Sequence, residues 1–261
     1  MDLAIIPRVL TSVGPFVITS AHLSAFLVTL AVLLLAFLCT RKLSLVPSRG
    51  QVVFEFITVW FWEQVATACA PKYRSYVLSV VVTLFLFIVV ANYFSLYPLL
   101  SSVVYNDGPL LTTPTAHLSL TLALGLFVVL SGHVIAFVHR PLGHLGNYIR
   151  IAPLFKVRSF PDFTQALISL FLGFMDIIGE FAKIISISCR LFGNLLSGDL
   201  MSLVIINLAF FTQFLVPVPF YVLGLFSALV QAVVFSLLSV QFLSSVLSSI
   251  PEKSRVQPVR T

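Results

Sequence analysis

The residues best suited to chemistry are five ionisable side chains within the longest apolar stretch of the chain, from Thr164 to Ile250. They are Asp176, Glu180, Lys183, Arg190 and Asp199. In a hydrocarbon environment each charge costs at least ~2.5–3.5 kcal/mol, and such residues commonly mark ion paths and binding sites. The sequence therefore predicts a functional site among these charges.

Most of these charges share one face of a predicted helix. At about 100° per residue, six polar residues fall within a stripe about 100° wide. They are Asp176, Glu180, Lys183, Arg190, Asn194 and Ser197. Asp199 lies off this stripe, about 140° from Asp176. Spacings of three, four and seven residues allow Lys183 to form an ion pair with an acid on its own helix.

Arg190 has no such acid nearby. Glu180, the nearest acid on its face, is about 15 Å away along the helix axis. A guanidinium group stays protonated, so Arg190 cannot lose its charge. The last predicted helix contains no acid. A partner protein is therefore the better inference for the source of a carboxylate.

The last helix presents a weaker polar face of its own. Its members are Gly224, Ser227, Gln231 and Ser245. Small residues allow helices to approach closely, and an amide can donate and accept hydrogen bonds. This pattern favours contacts between helices and is also compatible with part of an ion path.

The composition defines the class of protein that holds these residues. Of the 261 residues, 59% are apolar and only 9% are Asp, Glu, Lys or Arg, against about 25% in soluble proteins. The net charge of +6 does not indicate nucleic-acid binding, because the basic residues flank apolar runs. We predict an all-α integral membrane protein.

Apolar runs of about 20 residues predict membrane-spanning helices. We predict a single membrane domain, 1–261, with three upright spanning helices, an amphipathic helix at the membrane interface, and a long tilted helical hairpin. Their ranges are 16–39, 76–97 and 117–138 for the upright helices, 50–70 for the interfacial helix, and 163–216 and 220–249 for the hairpin. The first hairpin helix would be about 80 Å long, so it must either break or cross the bilayer at a strong tilt.

The basic residues predict the orientation. With this topology, twelve of the fifteen Lys and Arg residues fall on one side of the membrane, in the 40–75 and 139–162 loops and the tail after 250. By the positive-inside rule that side is the cytoplasm or matrix. The C-terminus is predicted to lie there.

The run Arg190-Leu-Phe-Gly-Asn194-Leu-Leu-Ser-Gly198-Asp199 resembles the signature of subunit a of F-type ATP synthases. Asn92-Tyr-Phe-Ser-Leu-Tyr-Pro98 and Pro114-Thr-Ala-His-Leu-Ser-Leu-Thr121 are similar to the end and the start of spanning helices in that family, and Gln231-Ala-Val-Val-Phe also fits. The resemblance covers residues from about 50 to 250.

The resemblance implies a role for each matching residue. Arg190 would be the essential arginine that faces the carboxylates of a rotating c-ring, with Asn194 and Gln231 as polar neighbours. Asp199 would line the proton inlet, and Asp176 and Glu180 the outlet. Supporting positions would be Lys183, Ser197 and Ser227.

Three positions depart from the family pattern. Ile184 replaces a common Pro, which would leave the long helix less kinked. Gly224 stands where relatives usually carry His or Glu, and His117 where they usually carry Asp. We hypothesise that His117 takes over the inlet role that position 224 has lost. His22 and His133 match no family motif and are assigned no role.

The resemblance also implies the setting of the protein. The chain would be a non-catalytic subunit of an enzyme complex in the mitochondrial inner membrane or the bacterial plasma membrane. Its partners would be the c-ring, the peripheral stalk, other F0 subunits, lipids and transported protons, without a cofactor, metal or nucleic acid. The alternatives are a secondary ion-coupled transporter with a charged midplane site and a purely structural membrane subunit.

Overall fold

The structure of the chain is a computed structural model. It describes residues 9–13, 16–41, 47–95, 104–105, 108–109, 114–139, 160–208 and 217–248. Within these ranges helices dominate: α1 Ser20–Thr40, α2 Arg49–Ala68, α3 Arg74–Ser95, α4 Leu118–His139, α5 Phe160–Leu208 and α6 Pro217–Ser248. A 3₁₀ turn, Pro114–Ala116, precedes α4.

The all-α membrane class is confirmed. In the described part of the chain, four helices are long and apolar enough to cross a bilayer: Ser20–Thr40, Arg74–Phe94, Leu118–His139 and Val218–Ser248. Apolar side chains cover much of their outer surface, as Phe26 and Leu33 on α1 illustrate. Such a surface suits a lipid environment, because its side chains are apolar and the helices satisfy their own backbone hydrogen bonds. The interfacial position of α2 stays a prediction.

Two short antiparallel hairpins accompany the helices. The first pairs β1, Val9–Val13, with β2, Phe16–Thr19. The second pairs β3, Val104–Tyr105, with β4, Gly108–Pro109. Helix α1 therefore begins at Ser20 rather than at residue 16, because the preceding residues pair as a strand. Apolarity alone does not distinguish these two states.

His22 helps to start α1. Its Nδ1 lies 2.7 Å from the hydroxyl oxygen of Thr19 and accepts a hydrogen bond from the Thr19 backbone N–H at 3.4 Å. These contacts resemble a capping box, in which side chains bind the free backbone groups of the first helical turn.

The long hairpin helices differ from their predicted bounds, which were 163–216 and 220–249. Helix α5 is unbroken over its 49 residues, about 74 Å of helix, so it shows no break between residues 160 and 208, and its tilt in the membrane stays a prediction. Helix α6 begins at Pro217 and includes Pro219 in its first turn, three residues before the predicted start at residue 220. Proline fits a first helical turn because its missing N–H would have no partner in the helix. Residues 209–216 lie outside the described residues.

Helix α3 lies at the centre of the packing and contacts α1, α2 and α6, while α4, α5 and α6 pack against one another. The main core joins buried side chains from five helices. They include Phe61 and Val65 of α2, Val81 and Ile88 of α3, Val128 of α4, Ile187 and Leu191 of α5, and Phe235 and Leu243 of α6. This core fixes which face of α5 is buried and which is left open.

Candidate functional site

The ion pair predicted on α5 is present. Lys183 Nζ lies 2.7 Å from Glu180 Oε1, three residues earlier, a spacing that places both side chains on one helix face. The same ammonium lies 5.6 Å from the centre of the Phe242 ring on α6, within the range of a cation–π contact. Lys183 is thus held by groups on two helices.

His133 lies opposite the same carboxylate, although it matches no motif in the sequence and was assigned no role. Its Nε2 is 3.4 Å from Glu180 Oε2, which joins α4 to α5. The side chains of His133, Glu180 and Lys183 are 22%, 18% and 29% exposed, so the group is largely but not fully buried. The sequence signal was a histidine inside a predicted spanning helix, a position where ionisable residues are often functional.

Asp176 lies on the exposed surface of α5. It precedes Glu180 by four residues, so the two positions are neighbours on the helix surface. The structure therefore arranges Asp176, Glu180 and Lys183 along one side of α5, as the stripe predicts.

Arg190 is exposed near the middle of α5. Among the residues whose side chains the structure describes, no carboxylate lies within 4.0 Å of its guanidinium group. Gly193 and Ser197 are exposed on the same side. A Cβ atom added to Gly193 would meet nothing within 4 Å. The surface around Arg190 is consequently open and built from small residues, which allow another helix to approach closely.

The opposite side of α5 is closely packed. Ile187, Ser188 and Leu191 are at most 1% exposed. A Cβ atom added to Gly125 of α4 would overlap Ser188 Oγ and lie 3.0 Å from Ile187 Cγ2. Gly125 therefore allows α4 to approach α5 closely at Ser188, two residues before Arg190.

Asn194 links α5 to α6. The hydroxyl group of Ser227 donates to Asn194 Oδ1 at 2.9 Å. Ser197, in contrast, donates to the Asn194 backbone carbonyl of its own helix at 2.9 Å. In the described part of the chain, no hydrogen bond joins Asn194 to Arg190. The polar residues following Arg190 thus bind one another.

Gln231 is buried on α6, with 7% of its surface exposed. Its Nε2 atom has no hydrogen-bond partner among the described residues. A buried polar atom in this state costs about 1–3 kcal/mol unless water or another polar group reaches it. Gln231 is therefore a candidate for the lining of a hydrated path.

A second buried polar group connects α6 to α3 and the 3₁₀ turn. The Thr115 hydroxyl donates to Asn92 Oδ1 at 3.0 Å, and Asn92 Nδ2 donates to the Ala228 carbonyl at 3.3 Å. Asn92 and Thr115 are both fully buried. Asn92 and Thr115 lie in two separate motifs of the sequence, which carries no local signal of their contact or of the contact between Asn92 and Ala228, 136 positions later.

His117 lies beside this group in the chain, just before the spanning helix α4, and only 5% of its surface is exposed. Its backbone carbonyl accepts from the N–H groups of Leu120 and Thr121, at 3.1 and 3.3 Å. Burial, and secondarily the charge of His22, lower the pKa of His117 and so favour its neutral form. Asp199 belongs to α5, but its side chain lies outside the described residues.

Together, the apolar spans and the charges on α5 define a multi-pass membrane protein with a group of ionisable side chains on one long helix. The family model "ATP synthase A chain" matches residues 22–244. "ATP synthase subunit a 1" of Hahella chejuensis (strain KCTC 2396) is 29% identical over 240 residues, which cover 92% of this chain and 89% of the relative. The chain belongs to the ATP synthase A chain family. That relative is bacterial, and the mitochondrial location stays a prediction.

Proposed function

We propose that the chain is the proton-conducting stator subunit of an F-type ATP synthase, in which Arg190 faces the carboxylates of a rotating c-ring. The observation that carries this proposal is the state of Arg190. It is exposed on a helix of a membrane protein, and no described side chain of this chain provides it with a carboxylate. A permanent charge in hydrocarbon requires a partner, and a ring carboxylate is the partner that membership of this family suggests.

The open surface around Arg190 supports docking of a ring helix. Gly193 leaves free space on its side of α5, so its small size serves no packing need among the described residues. A helix of the ring can then approach until its carboxylate reaches the guanidinium group. Guanidinium suits this task because its rigid N–H groups match the two oxygens of a carboxylate.

The groups on either side of Arg190 support two separate half-channels. Asp176 and Glu180 precede it by about 21 and 15 Å along α5, whereas Asp199 follows it by about 14 Å. In the proposed path, protons enter on the side of Asp199 and leave on the side of Asp176 and Glu180. Arg190 lies between the two paths and blocks direct leakage through its fixed positive charge.

Several polar groups fit the inlet half. Asn194 and Ser227 bind each other across α5 and α6, and the Asn92–Thr115 pair reaches the carbonyl of the residue after Ser227. Gln231 follows one turn later on α6. His117, at the start of α4, would mark the outer end of this half-channel.

The reaction is a proton exchange without covalent chemistry in this chain. A proton from the inlet neutralises a ring carboxylate, which can then enter lipid with a much smaller desolvation cost. After nearly a full turn, the same carboxyl group reaches the outlet and loses its proton. Arg190 then attracts the carboxylate. Each proton that crosses 100 mV releases about 2.3 kcal/mol, so each ATP requires several.

Arg190→Ala in the complete complex tests the proposal. We expect proton-driven ATP synthesis to fall to background, because the ring carboxylates lose their counter-charge and the barrier between the half-channels. Membrane vesicles with the assembled complex serve to measure ATP synthesis, while ATP hydrolysis by the soluble head controls for assembly. Normal coupled synthesis in this variant would refute the proposed role. Ion uptake by the purified chain without a ring would favour the transporter instead.

A further inference from the structure

The contact between His133 and Glu180 brings a proton-binding side chain to the outlet half of the proposed path. It joins two helices, since His133 belongs to α4 and Glu180 to α5. Lys183 holds the other oxygen of the same carboxylate. The three side chains therefore form one group, in which a carboxylate lies between an ammonium and an imidazole.

The charges within this group determine which member can carry a proton. An ammonium at hydrogen-bond distance favours the ionised form of a carboxylate, so Lys183 and Glu180 together form a neutral pair. Imidazole is the side chain that gains and loses a proton near neutral pH. His133 is therefore the member of the group that can bind an additional proton, and its Nε2 lies beside the Glu180 carboxylate.

The position along both helices places this group on the basic side of the membrane. His133 lies about 9 Å before the end of α4, and Glu180 lies about 15 Å before Arg190 on α5. The loop that connects α4 to α5 is predicted to lie on the cytoplasmic or matrix side. The group thus lies between Arg190 and the solution that receives protons during ATP synthesis.

We propose that His133 carries protons in the outlet half-channel; this inference rests on the proposed function. A ring carboxyl group releases its proton through water to the imidazole and becomes a carboxylate. The imidazolium then passes this proton to water on the basic side and returns to neutral imidazole. One proton enters and one leaves, and no electrons are transferred.

No other charged residue of the described core competes for this role. Helix α6 packs against α4 and α5 and contains no Asp, Glu, Lys, Arg or His, and α3 contains none between Ser75 and Ser95. On α5 the facing groups are Glu180 and Lys183, with Asp176 one turn earlier. His117 immediately precedes α4 at its other end, about 24 Å from His133 along the helix axis.

The test is His133→Gln in the complete ATP synthase, in vesicles whose two aqueous sides can be set independently. Glutamine retains a hydrogen-bond donor for Glu180 but cannot carry a proton. We expect synthesis to fall about tenfold, less than the ~100-fold typical of a positioned acid–base group, because water still carries part of the flux. Rates are normalised to assembled complex, and His133→Asn serves as a second variant if the first assembles poorly.

The pH profile separates proton transfer from a structural role. At constant total proton-motive force, acidifying the outlet side opposes proton release from His133 to water, so the native rate should fall as that side is made more acidic. The variants should lose this dependence. His139→Gln is the matched control, since His139 is exposed at the end of the same helix. Its Nδ1 lies 2.9 Å from the backbone carbonyl oxygen of Ile135, one turn earlier in that helix.

Two outcomes distinguish failure of this inference from failure of the proposed function. If the His133 variants keep the native rate and pH profile while Arg190→Ala abolishes synthesis, the proton-carrying role of His133 is wrong. If Arg190→Ala also keeps coupled synthesis, the proposed function itself is wrong. An equal loss of pH dependence in His139→Gln would overturn the assignment to His133.

Discussion

Arg190 and Leu191 are adjacent in the chain but lie in opposite environments. Arg190 is exposed beside Gly193, whereas Leu191 is fully buried in the core between helices. The glycines on the two sides differ in the same way. A Cβ atom added to Gly125 would overlap Ser188 of α5, whereas one added to Gly193 would have no atom of the described residues within 4 Å. One side of α5 is complete within this chain, and the other has the form of a surface that another protein covers.

The largest effect should follow from placing a charge on the closed side. Leu191→Arg buries a guanidinium group among apolar side chains, and we expect a loss of stability of about 5 kcal/mol, because a buried unpaired charge is strongly destabilising. The amount of assembled subunit in membranes measures this. Leu191→Met is the matched control, since it keeps an apolar side chain of similar volume at the same buried position. Equal accumulation of Leu191→Arg and native chains would contradict the division into two sides.

A smaller loss should follow from a single methyl group at the contact between α4 and α5. Gly125→Ala forces Ser188 and Ile187 to move, and overpacking of this kind costs about 1–3 kcal/mol. Gly132→Ala is the control on the same helix, because its nearest contact would be Leu243 Cδ2 at 3.3 Å. The temperature at which the solubilised complex dissociates is measured for both glycine variants. Adding Ser188→Ala should restore part of the loss, and equal stability of the two glycine variants would disprove the close contact.

The smallest effect on stability should come from the open side. The Cβ of Gly193→Leu meets no atom of the described residues within 4 Å, so the subunit should accumulate normally. A ring helix could no longer approach Arg190 closely, and we expect coupled ATP synthesis to fall severalfold. Gly50→Leu on α2 is the control, because that position is equally open but not adjacent to Arg190. Unchanged synthesis in Gly193→Leu would indicate that this surface does not face the ring.

The sequence predicted much of this arrangement because membrane helices leave clear local signals. Apolar length located the spanning helices to within a few residues, and helical spacing predicted the Lys183–Glu180 ion pair. The start of α1 was wrong, since the strand Phe16–Thr19 is as apolar as a helix. The predicted start of α6 at residue 220 was also wrong, because Pro217 and Pro219 fit the first turn of a helix as well as the loop before it.

The site contained elements that local pattern could not predict. His133 gained a role only through its contact with a residue 47 positions later in the sequence, and Asn92 through contacts with Thr115 and Ala228. Such contacts depend on how helices pack and rotate about their axes. That rotation follows from side-chain packing throughout the core and is not encoded in any single segment.

The sequence by itself thus determined the class of protein, the spanning segments and the charge that needs a partner. These follow from the cost of polar groups in lipid and from the fixed period of a helix, which act residue by residue. Tertiary structure alone decided that Arg190 faces outward, that Gly125 brings α4 against α5, and that His133 meets Glu180. These depend on close packing between distant segments, where a methyl group or a small rotation changes which side chains meet.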